Sequence, residues 1–333
     1  MENTKPTFYI ELGSQWKKRL VRAELDWKLD APAFFTATVA LDGKSVSSLQ
    51  PSTFPKTTTL RWGDKEIFKG HLLSASISGH SRADFVFSDG LYLAKKISEN
   101  EFMKHPFLQD TLSKIAGLIG LAPRFAGSLN ESLPSFNFGG RPLYEHLIEL
   151  SANYGFHFVC RSVSENLAII RFGSTLQTVN LNCKSNAAHI AINQAAHSSY
   201  EEVELRYFGP GQSDAKEKKI GSLSSPLSSM TNHPSFSEKK NWKLGYGRLE
   251  AYVTDQYHFE SGDKLFRNQI SKRWFEQEQL QVTCYQPLAL PGDGLSVSNA
   301  PAGSAQNGNY LVKDCHIVVG SCHPKMELLA IRP

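Results

Sequence analysis

Residues 141–158 read RPLYEHLIELSANYGFHF, and the change of period inside this stretch decides the fold. Up to Tyr154, the apolar residues Leu143, Leu147, Ile148 and Tyr154 recur at helical spacing. Pro142 stands at a first-turn position and Gly155 just past the end, the asymmetry expected of a helix. From Phe156 the pattern becomes that of strands, with residues 156–161 and 166–172 forming a predicted hairpin around 162–165. Upstream, residues 107–119 carry Leu108, Leu112, Ile115, Ala116 and Ile119 on one helical face. Asp110 is placed to cap the start of that helix and Gly120 its end. A loop rich in Ser, Asn, Pro and Gly, residues 123–140, joins the two helices. Residues 99–180 therefore read as a compact α+β unit.

Both flanks read as β. Phe8, Ile10 and Leu12 alternate with Tyr9 and Glu11, and Phe35, Ala37, Val39 and Leu41 with Thr36, Thr38 and Ala40. Period two with aromatic and β-branched residues is the half-buried strand signal. Asp42-Gly43 and Gly63-Asp64 mark turns, and further strands fall at 57–62, 66–78 and 83–88. Residues 1–98 are thus expected to form a first β-barrel. Residues 181–333 are expected to form a second. Its strands lie near Ala188, at Val203, Leu205 and Tyr207, and at 250–259, 280–285, 294–298, 309–319 and 325–331. Two features interrupt it. Residues 209–241, poor in apolar side chains, read as a long loop or a partly disordered segment, dispensable for folding. Residues 261–279 read as an amphipathic helix capped by Ser261, with Leu265, Phe266, Ile270, Trp274 and Phe275 on one side, packing on the second barrel through the first four. The expected class is mainly β with an α+β insertion: two hub-type β-barrel domains flanking a small α+β domain.

Composition narrows the function. Of 333 residues, 41% are hydrophobic and 20% charged, a balance that supports buried cores. Lys+Arg 36 against Asp+Glu 32 gives +4, with the charges spread along the chain. The densest basic run, Lys216-Glu217-Lys218-Lys219, is too short and mixed for a phosphate-tracking surface, so no specific nucleic-acid binding is expected. No apolar run approaches the roughly 20 residues that span a bilayer, so no membrane insertion is expected. Five cysteines without a CxxC read as reduced, buried thiols.

The candidate chemistry is thin. Cys315-His316 and Cys322-His323 offer zinc-type ligands, yet neighbours on a strand point to opposite faces and do not converge on one ion. Glu145, His146 and Glu149 share a helix but no HExxH motif, and read as a solvated face. Residues 221–229 are Ser-rich without a nucleophile elbow, and Gly209-Pro210-Gly211 lacks the ending of a phosphate-binding loop. Trp16, Trp27, Trp62, Trp242 and Trp274 are scattered. The reading assigns no catalytic, cofactor-binding or metal residue, and expects no cofactor and no enzymatic activity.

Three segments carry a family resemblance. Glu66-Ile67-Phe68-Lys69-Gly70-His71-Leu72 resembles the lF-x-G strand of a first hub barrel. Residues 141–158 resemble the family's helix ending in yGf-x-f. Leu288-Ala289-Leu290-Pro291-Gly292-Asp293 resembles the l-x-PGD turn; Asn307-Gly308-Asn309-Tyr310-Leu311-Val312 resembles nG-x-y-x-V, with His316 where v-x-H is common. Phe138-Gly139-Gly140-Arg141 departs from the family's usual lead into the second helix. The order of these pieces resembles contractile-tail baseplate hubs: the phage late control protein D and the hub region of VgrG proteins of type VI secretion. The resemblance implies a structural hub that joins a tail tube to a spike. It implies a homotrimer contacting the tail tube protein, a separate trimeric spike and other baseplate proteins. Assembly would occur in the host cytoplasm, and the product would sit in the virion tail baseplate or a tail-like particle. The alternatives are a tail-tip cell-wall hydrolase and a carbohydrate- or receptor-binding β module.

Overall fold

The computed structural model describes residues 8–11, 20–40, 54–78, 82–133, 135–184, 189–194, 202–208, 215–220, 248–253, 278–300, 307–320 and 324–332. The chain opens with β1 (Phe8–Glu11), β2 (Leu20–Lys28), β3 (Phe34–Ala40), β4 (Thr57–Trp62), β5 (Lys65–Ser78) and β6 (Arg82–Ser88). A 3-10 turn, Gly90–Lys95, leads into β7 (Phe102–Lys104), α1 (Leu108–Leu118), β8 (Ala122–Ala126), β9 (Ser135–Asn137), α2 (Leu143–Tyr154), β10 (Phe156–Arg161) and β11 (Asn166–Arg171). There follow β12 (Thr178–Asn182), β13 (His189–Gln194), β14 (Glu202–Phe208), β15 (Ala215–Ile220), β16 (Arg248–Val253), β17 (Glu278–Cys284), β18 (Gly294–Ser298), β19 (Gly308–Val319) and β20 (Lys325–Ile331).

The class is mainly β with an α+β insertion, as the period pattern indicates. The two β-rich flanks, however, share one curled, unclosed sheet of 12 strands. Its path runs β1-β4-β5-β6-β3-β2-β19-β20-β17-β13, with β18 on β19 and β12 on β18. The seam is antiparallel, Ala23–Lys28 of β2 against Asp314–Val319 of β19. Period two identifies the buried face of a strand but not its hydrogen-bonding neighbour, which is why the flanks read as separate barrels. Register shifts at Leu20/Arg22, Leu60/Arg61, Leu72/Ser74 and Val312/Asp314 mark bulges, and bulges bend a sheet.

Two apolar cores result. One fills the sheet's inner face with Leu25, Trp27, Phe35, Phe68, Phe85, Tyr310 and their neighbours. The other lies between α1, α2 and the small sheet β10-β11-β8, and contains Leu108, Leu112, Ile115, Leu147 and Phe156. The β10–β11 hairpin serves both. Val159, Ala168 and Ile170 face the sheet core, whereas Phe158, Cys160, Leu167 and Ile169 face the helices. Alternation thus turns one hairpin into the wall between two cores.

Several details differ from the sequence reading. Phe107, without a side-chain hydrogen bond, occupies the cap of α1, and Asp110 sits within its first turn. On α2, Ile148 is 37% exposed while Leu150 and His146 are buried. The stretch 123–140 is not all loop. Ala122–Ala126 pairs in parallel with β11, and Ser135–Asn137 pairs with Phe102–Lys104. Within 209–241, Ala215–Ile220 pairs antiparallel with Glu202–Phe208, so this part is a strand; the rest lies outside the described residues. The expected helix 261–279 cannot reach its stated end, because Glu278–Cys284 is a strand paired with β13 and β20. Its residues 261–277 lie outside the described residues.

Candidate functional site

The polar side chains that matter converge where the β10–β11 hairpin meets the large sheet. Four contacts hold the α+β unit, and the 3-10 turn that leads into it, against both halves of that sheet. The first is Asp30, in the turn after β2, at φ +59, a left-handed conformation that Asp tolerates better than most residues. Its Oδ1 accepts the Phe158 amide at 2.9 Å, and its Oδ2 lies 2.8 Å from His157 Nδ1. Its own amide donates to Phe158 O at 2.7 Å, and the Tyr144 hydroxyl donates to its carbonyl at 2.7 Å. One residue thereby ties the β2–β3 turn to both β10 and α2.

The second contact is an ion pair. Asp293, 1% exposed, ends the Pro291-Gly292-Asp293 turn before β18, and its Oδ1 accepts from Arg161 Nη2 at 2.5 Å. Its Oδ2 accepts the Leu290 amide at 2.9 Å, so both oxygens are used. The Arg161 guanidinium also lies 5.7 Å from the Trp27 ring centroid, within cation–π reach. Burial pulls Arg161 below its ordinary value, and Asp293 opposes that shift. Glycine suits this position. At φ +91 an L side chain is strained, and a Cβ would lie 2.6 Å from Ile170 Cδ1, which would have to shift for the turn to stay this close to β11.

The third contact is Asp89, 2% exposed, at the point where the chain leaves β6 for the 3-10 turn. It accepts the Ala33 and Leu91 amides, both at 3.1 Å. The fourth lies at the hairpin turn, where the Lys69 amide of β5 donates to Ser162 Oγ at 3.0 Å and the Lys69 ammonium pairs with Glu165.

Apart from Trp27, the residues singled out from sequence for their chemistry fall elsewhere. Cys315 is buried in β19, its thiol pushed above the usual range by burial. His316 points to the other face, its Nδ1 2.7 Å from Asp26 Oδ1. The two do not converge, as strand alternation demands. Cys322 and His323 lie outside the described residues, as do Gly209-Pro210-Gly211, residues 221–229, Trp16, Trp242 and Trp274. Among the described residues, no group of three or more His, Cys, Asp and Glu is arranged to hold a metal. Trp27 and Trp62 are buried in the sheet core.

Glu145 and Glu149 lie on an exposed face, 3.2 and 3.1 Å from the same guanidinium, Arg141. His146 is not on that face. It is 2% exposed, its Nε2 lies 2.9 Å from Phe138 O, and its ring meets Phe136 and Phe138 edge-on. Arg141→Ala should therefore leave stability within about 0.5 kcal/mol, because an exposed pair gains little over its hydration. Urea unfolding checks this.

On the outer face of the sheet, Asp26, His316, Glu327, Thr283 and His189 are successive cross-strand neighbours. They line an open groove of about 320 Å³. The junction residues Asp30, Asp89, Arg161 and Asp293 escaped sequence reasoning. The only local trace was the PGD turn, whose aspartate meets an arginine 132 positions away.

No family model matches the chain, and no curated protein matches it by sequence. Its fold is that of phage-tail and type VI secretion tail proteins, retained over nearly the whole chain. The tail protein from Neisseria meningitidis MC58 has a TM-score of 0.70 at 13% identity, covering 98% of this chain and 96% of that one. The 43 kDa tail protein of prophage MuSo2 from Shewanella oneidensis has 0.68 at 10%, covering 99% and 97%. The E. coli c3393 protein, a type VI secretion component similar to the T4 tail proteins gp27 and gp5, has 0.61 at 11%, covering 98% and 77%. The segments that resemble hub motifs fall on β5, on α2 with β10, on the turn before β18 and at the start of β19.

Proposed function

We propose that the chain is a non-enzymatic structural hub in the baseplate of a phage tail or phage-tail-like contractile particle, joining the tail tube to a spike. The observation that carries this reading is the match to tail proteins along both chains in full, not through one module. The junction also suits a part under mechanical load. Asp293 is buried, Asp30, Tyr144 and Arg161 are partly buried, and their bonds hold three segments of chain together. The proposed units are 1–98 and 181–333, each a barrel-like half, with the α+β domain 99–180 between them. Three chains would then present six such halves in a ring. That arrangement reconciles a hexameric tube with a threefold spike. Cyclic closure needs a heterologous contact between unlike surfaces, burying well over ~1,000 Å². The hub would assemble in the host cytoplasm and end in the tail, in contact with tube, spike and other baseplate proteins.

Light scattering of the purified chain, alone and mixed with the spike protein, should give a trimer in at least one condition. A strict monomer or twofold dimer in both, with no ring in electron micrographs, overturns the hub reading. Zymography against peptidoglycan should show no clearing. Clearing that disappears on mutating one Asp or Glu would establish the tail-tip hydrolase instead.

A further inference from the structure

Lys95 and Lys96 close the 3-10 turn, and both are exposed. Among the described residues, neither has a carboxylate partner. Each lies over an aromatic ring instead. Lys95 Nζ stands 4.8 Å from the Tyr144 centroid, and Lys96 Nζ 5.0 Å from that of Tyr92. A cation on a ring face keeps its charge while its side chain is held in place. The acidic side chains of this region are already engaged. Glu145 and Glu149 of α2 share Arg141. Asp30, whose carbonyl accepts from Tyr144, is bonded to His157 and the Phe158 amide.

Aliphatic side chains complete a strip. Leu93 is 42% exposed, and its carbonyl accepts the Lys96 amide, so the two residues stand one 3-10 turn apart. Tyr92 lies one such turn before Lys95. Ile148, also exposed, follows Tyr144 by one turn of α2. The order along the surface is therefore Ile148, Tyr144, Lys95, Tyr92, Lys96 and Leu93. Aromatic and aliphatic side chains interleaved with charges of one sign form a surface for a partner of the opposite sign.

We propose that this strip docks an acidic segment of a partner protein, with carboxylates opposite Lys95 and Lys96 and apolar side chains against Leu93 and Ile148. Charge complementarity selects the occupant, because two cations without carboxylates of their own call for anions. The aliphatic ends favour a peptide over a nucleic-acid backbone, which offers phosphate but no side chain to cover them. The lysines rest on rings before the partner arrives, so docking costs them less side-chain entropy. The assignment does not depend on the hub reading.

The probe is a labelled synthetic peptide alternating Glu with Leu, titrated into the full chain and followed by fluorescence anisotropy. It should bind, and a counterpart with Gln for every Glu should bind at least about tenfold more weakly. Lys95→Glu with Lys96→Glu should weaken the acidic peptide by about tenfold or more. Lys184→Glu, at an exposed lysine after β12, should leave its binding unchanged. Should the charge-reversed chain not fold, Lys95→Gln with Lys96→Gln takes its place. Carbodiimide, which joins an amine to a carboxylate in contact with it, should link the peptide to Lys95 or Lys96. No binding by the acidic peptide, equal binding by the Gln peptide, or indifference to the lysine substitutions overturns the proposal. So does a single-stranded oligonucleotide that binds these lysines more tightly than the peptide does, since the strip would then serve nucleic acid.

Discussion

Asp293→Ala is expected to lower stability by about 3–5 kcal/mol, the cost of stranding one member of a buried ion pair. The Arg161 side chain is 11% exposed and would keep its charge without a partner. The Leu290 amide would lose its acceptor, and with it the turn that lets Gly292 reach β11. Asp293→Asn keeps an oxygen for Leu290 but not the charge, so its loss should be smaller. Denaturant midpoints at constant slope measure both. Arg141→Ala supplies the exposed comparison. An Asp293→Ala shift no larger than that of Arg141→Ala would show that the pair does not fasten the hairpin to the sheet.

Trp27→Ala should also cost about 3–5 kcal/mol, through lost burial and the cavity left behind. Trp27 sits on the seam, opposite Cys315 in the β2–β19 register, and meets Phe68 edge-on with centroids 6.3 Å apart. Because the Arg161 guanidinium lies over its ring, Trp27 and Asp293 share a neighbour. Their effects should therefore not add, and a double-mutant cycle should return a coupling of about 0.5–3 kcal/mol. Strict additivity would mean that the ring and the ion pair act independently. In that case the junction would be two separate contacts and not one assembly.

The faces of regular elements were legible in the sequence because periodicity is a local property. Leu108, Leu112, Ile115, Ala116 and Ile119 are all buried on or beside α1, and β4, β18 and β20 span the expected residues. Legibility failed where a side chain's fate depends on a distant partner. His146 reads as solvated until the Phe138 carbonyl is seen to satisfy its ring nitrogen. Ala122–Ala126 carries a proline and mostly exposed side chains, features that argue against a strand, yet β11 recruits it in parallel. The junction is the extreme case. Asp30 and His157 stand 127 positions apart, so nothing near either one announces the contact. Asp89 looks like an ordinary turn residue, and only its burial sets it apart.

The β2–β19 seam bears on how the chain is made. Asp26 meets His316 across a separation of 290 residues, and at ~5–20 residues per second a ribosome takes about 15–60 s to cover that distance. Throughout that interval β2 has β3 on one side and an unpaired edge on the other. Such an edge is a template for any passing strand, including the β2 of another nascent chain. Its outward residues are Arg22, Glu24, Asp26 and Lys28, charges of both signs that make a wrong neighbour unwelcome until the right one emerges.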